Sequence, residues 1–457
     1  MNKNKLIFSI IGIIIFILIV WGIKLLNSSG KSSGSDKGPA DFVIWTYDLD
    51  KTRMDEVVEE FKSKAKEYEK KNIVVENFPS YDDYKDTLQA AIIAGKTPDV
   101  FMLNNFERSY LENYVSGINP NIISPNQFRK GFKTFLGNDL IRKGEDENGK
   151  ETEFVIGIPV GYETLGIYFN RKFVLKPSDL ESWAGVSNLI DTIKERNPDI
   201  VPLGIMNGSV DNNADVLTQF FMYGEGEPNS LDKVTETGIK EAFGSFDDYI
   251  NSKNIDTGES DSDPQYYNPE TSGSTNLELF SQGNEAMIIG YTSMINSLKE
   301  SGFNNSFLYA APFPHYFSGK GKTLVKYNYF VVNQHTVNDK LAYDFLAYLA
   351  TEEGSKTFLS KFTYLLPALV TLEQDKLQEK LHDSYNLILG DFYKPEYDSL
   401  LSSFDKGIYS MYDQEIRSII KDDYNFLEKI KTLQKVISCK YKKLYNIENL
   451  SKDCSLD

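Results

Sequence analysis

The stretch that most constrains this chain is Ile156–Phe173, a run of β-branched and aromatic residues interrupted by Gly157, Pro159, Gly161 and Gly166. Such a composition favours strand, but glycine and proline inside a strand mark the places where a backbone bends, bulges or changes partner. We read the stretch as a strand that leaves one lobe of a two-lobed body and enters the other. Tyr162 and Glu163 lie in the middle of the bend. If the bend forms the floor of a cleft, both side chains face what the cleft holds, and a carboxylate placed there needs a polar partner.

With 457 residues the chain exceeds one ordinary core, and a prior of about 150 residues per domain gives two or three units. A formal charge of −17 argues against nucleic acids, polyanions and anionic lipid surfaces as partners. The N-terminus adds a different constraint. Leu6–Ile23 is a stretch of 18 residues without a charge, about 27 Å long as a helix and close to the thickness of a bilayer core. We expect residues 1–26 to be a single-pass transmembrane anchor with the body outside the cytoplasm; a signal peptide cleaved near Ser28–Gly30 is the competing reading. Residues 27–39, rich in Ser, Gly and Lys and without an apolar side chain before Pro39, form a flexible linker. Cys439 and Cys454 are the only cysteines; outside the cytoplasm they could pair, and two unpaired thiols is the equal alternative.

From Ala40 the pattern alternates. Asp41–Tyr47 reads as a buried strand, and Val57, Val58, Phe61, Ala65 and Tyr68 mark one helix face. Ile73–Phe78 is a second strand; Tyr84, Leu88, Ala91 and Ile92 a second helix closed by Gly95; and Val100–Leu103 a third strand. This βαβαβ opening predicts an α/β sheet that is largely parallel, in which ligands sit beyond the carboxyl ends of strands. That rule selects Tyr47 and Asp48 after the first strand and Asn104 and Asn105 after the third. Later strand ends and turns add Asn207, Asp211, Tyr291, Tyr327 and Tyr329. Residues 381–444 read as amphipathic helices. The acidic run Asp256–Asp263 lacks calcium-loop spacing, and the three histidines are scattered, so neither a metal nor a cofactor is expected. With Trp45 in a strand and Trp183 at a helix start, both read as core, any aromatic platform would be built from tyrosine.

Four segments together resemble the extracellular solute-binding proteins of ABC importers, in the carbohydrate-binding, maltose-binding-protein-like group. They are Ala90–Val100 (AAIIAGKTPDV), Gly157–Pro159 with Tyr168–Arg171, Phe280–Met287 (FSQGNEAM) and Ala342–Gly354. The resemblance implies a type II periplasmic-binding-protein-like fold: two α/β lobes joined by hinge crossings near Gly161–Leu165, Ala311–Phe313 and Thr351–Gly354. The lobes would comprise residues 40–161 with 312–350, and 162–311 with 351–457, the second carrying the C-terminal helices. It further implies that Glu163 holds sugar hydroxyls, that the ligand is a small organic solute, foremost a saccharide, and that a monomeric protein delivers it to an ABC permease without catalysis. Where the family has a tryptophan platform, this chain has Gly290-Tyr291-Thr292-Ser293. A tethered sensory binding protein and a cell-surface glycosidase, which would need two carboxylates set across a sugar, are the alternative readings.

The anchor reading is checked by mass spectrometry of the membrane-extracted protein. An intact N-terminus is expected, and a new terminus near Ser29 would show cleavage.

Overall fold

The computed structural model describes residues 40–105, 111–145, 149–204, 276–314, 322–373, 399–401 and Cys439. Leu6–Ile23, Asn207, Asp211, the acidic run Asp256–Asp263 and, apart from Cys439, the predicted C-terminal helices lie outside them. Among the described residues no helix is long and apolar enough to cross a membrane. The chain divides into two units, Met1–Asp41 and Phe42–Asp457. In the first, Ala40 and Asp41 are described and both are exposed. Everything below concerns the second. Cys439 is in a disulfide, while Cys454 falls outside the described residues.

The second unit opens as the periodicity predicts, with strand β1 (Phe42–Tyr47), helix α1 (Lys51–Lys64), β2 (Ile73–Phe78), α2 (Tyr81–Ile93) and β3 (Val100–Asn104). β1 pairs in parallel with β2 and with β3. Local chemistry sets the boundaries. Asp50 and Ser80 cap the two helices by accepting the amide hydrogens of Arg53 and Asp83, and Gly95 ends α2 at φ +64°. Met54, Val57, Val58 and Phe61 form the buried stripe of α1.

Next come β4 (Val115–Ser116), α3 (Pro125–Gly131), α4 (Thr134–Leu140), the hairpin of β5 (Ile141–Glu145) and β6 (Glu151–Val155), β7 (Ile158–Pro159) and β8 (Gly161–Asn170). Beyond β8 lie α5 (Trp183–Arg196), α6 (Asn276–Gln282), β9 (Met287–Tyr291), α7 (Met294–Glu300), β10 (Leu308–Pro312), β11 (Lys322–Lys326) and β12 (Asn328–Asn333). The last described elements are α8 (Asp339–Leu349), α9 (Glu352–Lys361), β13 (Leu366–Pro367), α10 (Val370–Glu373) and β14 (Ser399–Leu401). The first sheet has the order β2-β1-β3-β12-β4, with β7 also on β12. A second sheet has the order β10-β8-β11-β14, with β9 and β13 also on β8. All ten residues of β8 are buried.

The expected bend is where the chain changes sheet. β7 pairs with β12 and β8 with β11, so two antiparallel segments pass from one sheet to the other side by side. Pro159 faces Tyr329 and Glu163 faces Lys326, which leaves Val160, Gly161 and Tyr162 opposite Tyr327 and Asn328 alone. One extra residue on one strand is a β-bulge, the device that bends a strand and sharpens its twist. A third segment, β13, lies against the bulge with Leu366 on Tyr162 and Pro367 on Gly161. A Cβ on Gly161 would come within 2.7 Å of Leu365 Cβ and 2.9 Å of Leu366 O, so no larger residue fits there without displacing the third segment.

Two of the expected crossings fall elsewhere. Ala311 and Pro312 belong to β10, paired with Ile167 and Gly166 inside the second sheet, and the second change of sheet is at Tyr327, between β11 and β12. Thr351–Gly354 is the cap of α9, where the Thr351 hydroxyl accepts the Gly354 amide hydrogen; the third segment at the junction is β13. A Pro-rich strand end and a helix-helix turn resemble crossings in sequence because both break periodicity.

One hydrophobic core fills the space around the first sheet, α8 and α9, and takes in Tyr162 and Val325; another joins Tyr168, Phe280, Ile288, Leu298 and Leu308 of the second sheet. Tyr364 packs against both. Trp45 and Trp183 are core residues, against Phe78 and Phe313 respectively. At the far end of the first sheet Asp99 accepts the Val43 amide at 2.8 Å and the Asn338 side chain at 3.0 Å, and also the Thr336 hydroxyl. The Pro98-Asp99-Val100 segment is thus a staple between β1 and the start of α8.

Glu285, fully buried beside β9, accepts a hydrogen bond from Asn276 Nδ2 at 3.1 Å and lies against the main chain of Gly204. Burial pushes its carboxyl well above the usual range, with the Asn276 bond opposing. The folded chain therefore keeps a proton that the unfolded chain releases near pH about 4.3, so this group's contribution to stability falls as pH climbs from there toward the raised folded value. Glu285→Gln is expected to raise the melting temperature at pH 7 and to flatten its decline between pH 5 and 8, measured by calorimetric unfolding.

Candidate functional site

The sequence places polar residues at strand ends, and the structure gathers a subset of them at the junction of the two sheets. Asp48 follows β1 in the left-handed region, at φ +51°. Aspartate tolerates that conformation better than most residues, and its amide donates to Phe78 O at 3.1 Å. Glu163 sits in β8 just past the bulge, 8 % exposed. One of its oxygens accepts the Ser293 amide at 2.9 Å, with the Thr292 hydroxyl at 3.5 Å, and so ties β8 to the start of α7. Among the described residues no hydrogen bond reaches the other oxygen. Lys326 opposes Glu163 across the strands and holds its ammonium 5.5 Å over the Tyr291 ring.

The charges at the junction influence one another. Enclosure by the surrounding protein raises the Asp48 carboxyl above its ordinary value, the Lys326 ammonium lowers it, and the Glu163 charge raises it again. Burial likewise raises the Tyr364 hydroxyl, with Glu163 and Asp48 adding to the shift and Arg53 opposing it. Asp48, Glu163, Lys326, Tyr291 and Tyr364 therefore form one electrostatic group contributed by both sheets. It offers carboxylate acceptors, an ammonium donor and phenol rings, the groups that hold a polyol. Leu49, Met102, Val160, Phe330 and Phe358 supply apolar walls around it, and the space enclosed is about 30 Å³, room for about one water against the roughly 300–1,000 Å³ of an ordinary ligand site.

Other sequence candidates are engaged within the fold. Tyr162 packs edge-on to Phe135 with centroids 5.4 Å apart. Tyr327 lines that same small space at the junction while its hydroxyl donates to Asp139 Oδ2 at 2.8 Å, and Tyr329 donates to Glu112 Oε1 at 3.5 Å. Tyr47 donates to Asn328 Oδ1 at 2.6 Å and packs edge-on to Tyr81 and tilted against Tyr84. Asn104 ends β3, buried opposite Asn328. Asn105 is bonded to the main chain on both sides of the second crossing: its Nδ2 donates to Val325 O at 2.8 Å and its Oδ1 accepts the Tyr327 amide at 2.9 Å.

Sequence reasoning overlooked Lys326 and Tyr364. Lys326 directly precedes Tyr327 at the change of sheet, and both line the junction. For Tyr364, in a short turn after α9, no local pattern announces its position between two cores. Among the described residues no group of three or more His, Cys, Asp or Glu side chains could hold a metal ion.

Residues 56–382 match a family described as bacterial extracellular solute-binding protein. No curated protein matches the chain in sequence. Solved structures of the same fold include a cyclic α-maltosyl-1,6-maltose binding protein from Arthrobacter globiformis, 14% identical with a TM-score of 0.65, covering 89% of this chain and 100% of that one. The sugar-binding protein MalE from Xanthomonas citri is 15% identical at a TM-score of 0.65, with 89% and 100% covered. An ABC substrate-binding protein from Listeria monocytogenes, solved in complex with cycloalternan, is 15% identical at a TM-score of 0.62, with 88% and 98% covered.

Because Lys326 is the group that lowers Asp48, Lys326→Met is expected to move the Asp48 carboxyl midpoint further up. NMR titration of the side-chain carboxyl carbons measures this, and an unmoved midpoint would place Lys326 out of electrostatic reach.

Proposed function

Because the chain belongs to the bacterial extracellular solute-binding protein family, we propose that it captures a saccharide at the junction of its two sheets and delivers it to an ABC permease. The observation that carries this reading is the convergence of Asp48, Glu163, Lys326, Tyr291 and Tyr364 where the paired strands change sheet. Carboxylates accept from sugar hydroxyls, the ammonium donates to them, and the phenol faces meet C–H patches. The structural relatives that share the fold include a binding protein for cyclic α-maltosyl-1,6-maltose and one solved in complex with cycloalternan, which makes α-glucosides the first class to try.

The two sheets correspond to the two lobes of a type II binding protein, hinged where the strands cross. With about 30 Å³ at the junction, a sugar ring enters only as the lobes part, and closure is driven by the ligand's preference for the closed arrangement. Leu6–Ile23 then serves as a membrane anchor and Asn27–Pro39 as the tether that lets the body reach its permease, with the body outside the cytoplasm and no catalytic role.

Titration calorimetry of the full chain in detergent with maltose, maltotetraose and cyclic glucosyl tetrasaccharides tests the proposal against peptides and polyamines. Saccharide binding without turnover is expected; binding of a peptide or polyamine alone, or hydrolysis of a bound glycoside, would overturn it. In the same assay Glu163→Ala is expected to weaken saccharide binding by about 1–3 kcal/mol, the loss associated with leaving a buried polar group without its charged partner.

A further inference from the structure

Tyr327 is the residue at which the second strand changes sheet, and it is held from two directions. On one side stands the bulge, where the three residues Val160, Gly161 and Tyr162 stand opposite the two residues Tyr327 and Asn328. On the other stands Asn105, at the end of the third strand of the first sheet. The Asn105 amide donates to Tyr327 O at 3.1 Å, its Oδ1 accepts the Tyr327 amide at 2.9 Å, and its Nδ2 donates to Val325 O at 2.8 Å. Asn105 is 1 % exposed.

These three bonds are not equivalent. Two of them grip Tyr327 itself, so they travel with the first sheet. The third reaches past the crossing to Val325, which belongs to the second sheet and pairs there with Thr164 of β8. A rotation of one sheet against the other about the crossing leaves the two Tyr327 bonds in place and changes the distance from Asn105 Nδ2 to Val325 O. The opposite side of the crossing has one residue more than the strand it faces, and a glycine, with which to bend. Lys326, placed in the junction, lies between the two main-chain residues that Asn105 holds.

We propose that Asn105 is a positioning residue for ligand capture: its side chain latches the two sheets in the closed arrangement through Val325 O and aims Lys326 at the site. This rests on the reading of the chain as a binding protein that opens and closes. The bond made in the closed arrangement and lost on opening favours closure. Removing it shifts the population toward open and lowers apparent affinity without touching a ligand contact.

The test compares the full chain with Asn105→Ala and, as the milder change, Asn105→Asp, which keeps an acceptor for the Tyr327 amide and loses the donor to Val325 O. Small-angle scattering without ligand is expected to show a larger radius of gyration in both variants than in the wild type. The dissociation constant for maltotetraose is expected to rise up to about tenfold in the Asn105 variants, the scale of one hydrogen bond. Wild-type scattering from a folded Asn105 variant overturns the latch, and so does loss of the folded circular-dichroism signature in both variants, which would make Asn105 a residue of the fold alone. If maltotetraose binds none of the proteins, the saccharide reading fails, and the ligand-free scattering still decides the latch.

Discussion

The pairing of Ile158–Pro159 with β12 and of Glu163–Thr164 with β11 obliges two segments far apart in sequence to change sheet at the same place. Main-chain hydrogen bonds continue on both sides of that change, so neither segment can move alone. The strand that results, β8, is buried along its full length and pairs with four others, which makes it the common member of the second sheet. A glycine with a third segment pressed against it and one surplus residue supply the bend. The polar cluster exists because this bend brings the end of β1, the end of β9 and the turn after α9 within electrostatic reach of one glutamate.

That cluster is charged on purpose of geometry rather than by chance of composition. The chain is acidic overall, yet the junction sets a lysine opposite a buried glutamate and beside an aspartate that the surroundings raise. Lys326 lowers the Asp48 carboxyl, against the burial and the Glu163 charge that raise it. Half of Glu163's capacity goes to the amide of Ser293, so the residue both fastens the second sheet's helix and presents an oxygen to the site. A group with two such tasks is expensive to replace, because either loss leaves a buried partner without its bond.

Much of the first sheet was legible in the sequence because its signals are local: the caps Asp50 and Ser80, the glycine after α2 and the stripe of α1 all follow from neighbours a few residues away. The bend at Ile156–Phe173 was legible for the same reason, since glycine and proline write it directly into the chain. The partners of the bend were not. Whether Ala311 or Tyr327 makes the second crossing depends on a pairing between residues more than 150 positions apart, and no local pattern encodes it. In the site, Glu163, Asp48 and Tyr291 could be found as polar or aromatic residues at strand ends. The tyrosines at 327 and 329 drew attention for their chemistry; Tyr327 does line the junction, with its hydroxyl on Asp139, while Tyr329 is turned toward Glu112.

The ammonium of Lys326 over the Tyr291 ring has a consequence for the character of recognition. In the proposed saccharide site, a sugar that used that ring would have to displace a cation worth roughly 0.5–2 kcal/mol to it, so stacking there would add little net attraction. Discrimination then falls on the placement of hydroxyls against fixed carboxylates, which is a matter of stereochemistry more than of covered area. On that proposal the receptor would be choosy without being tenacious, and would readily surrender a cargo held that way.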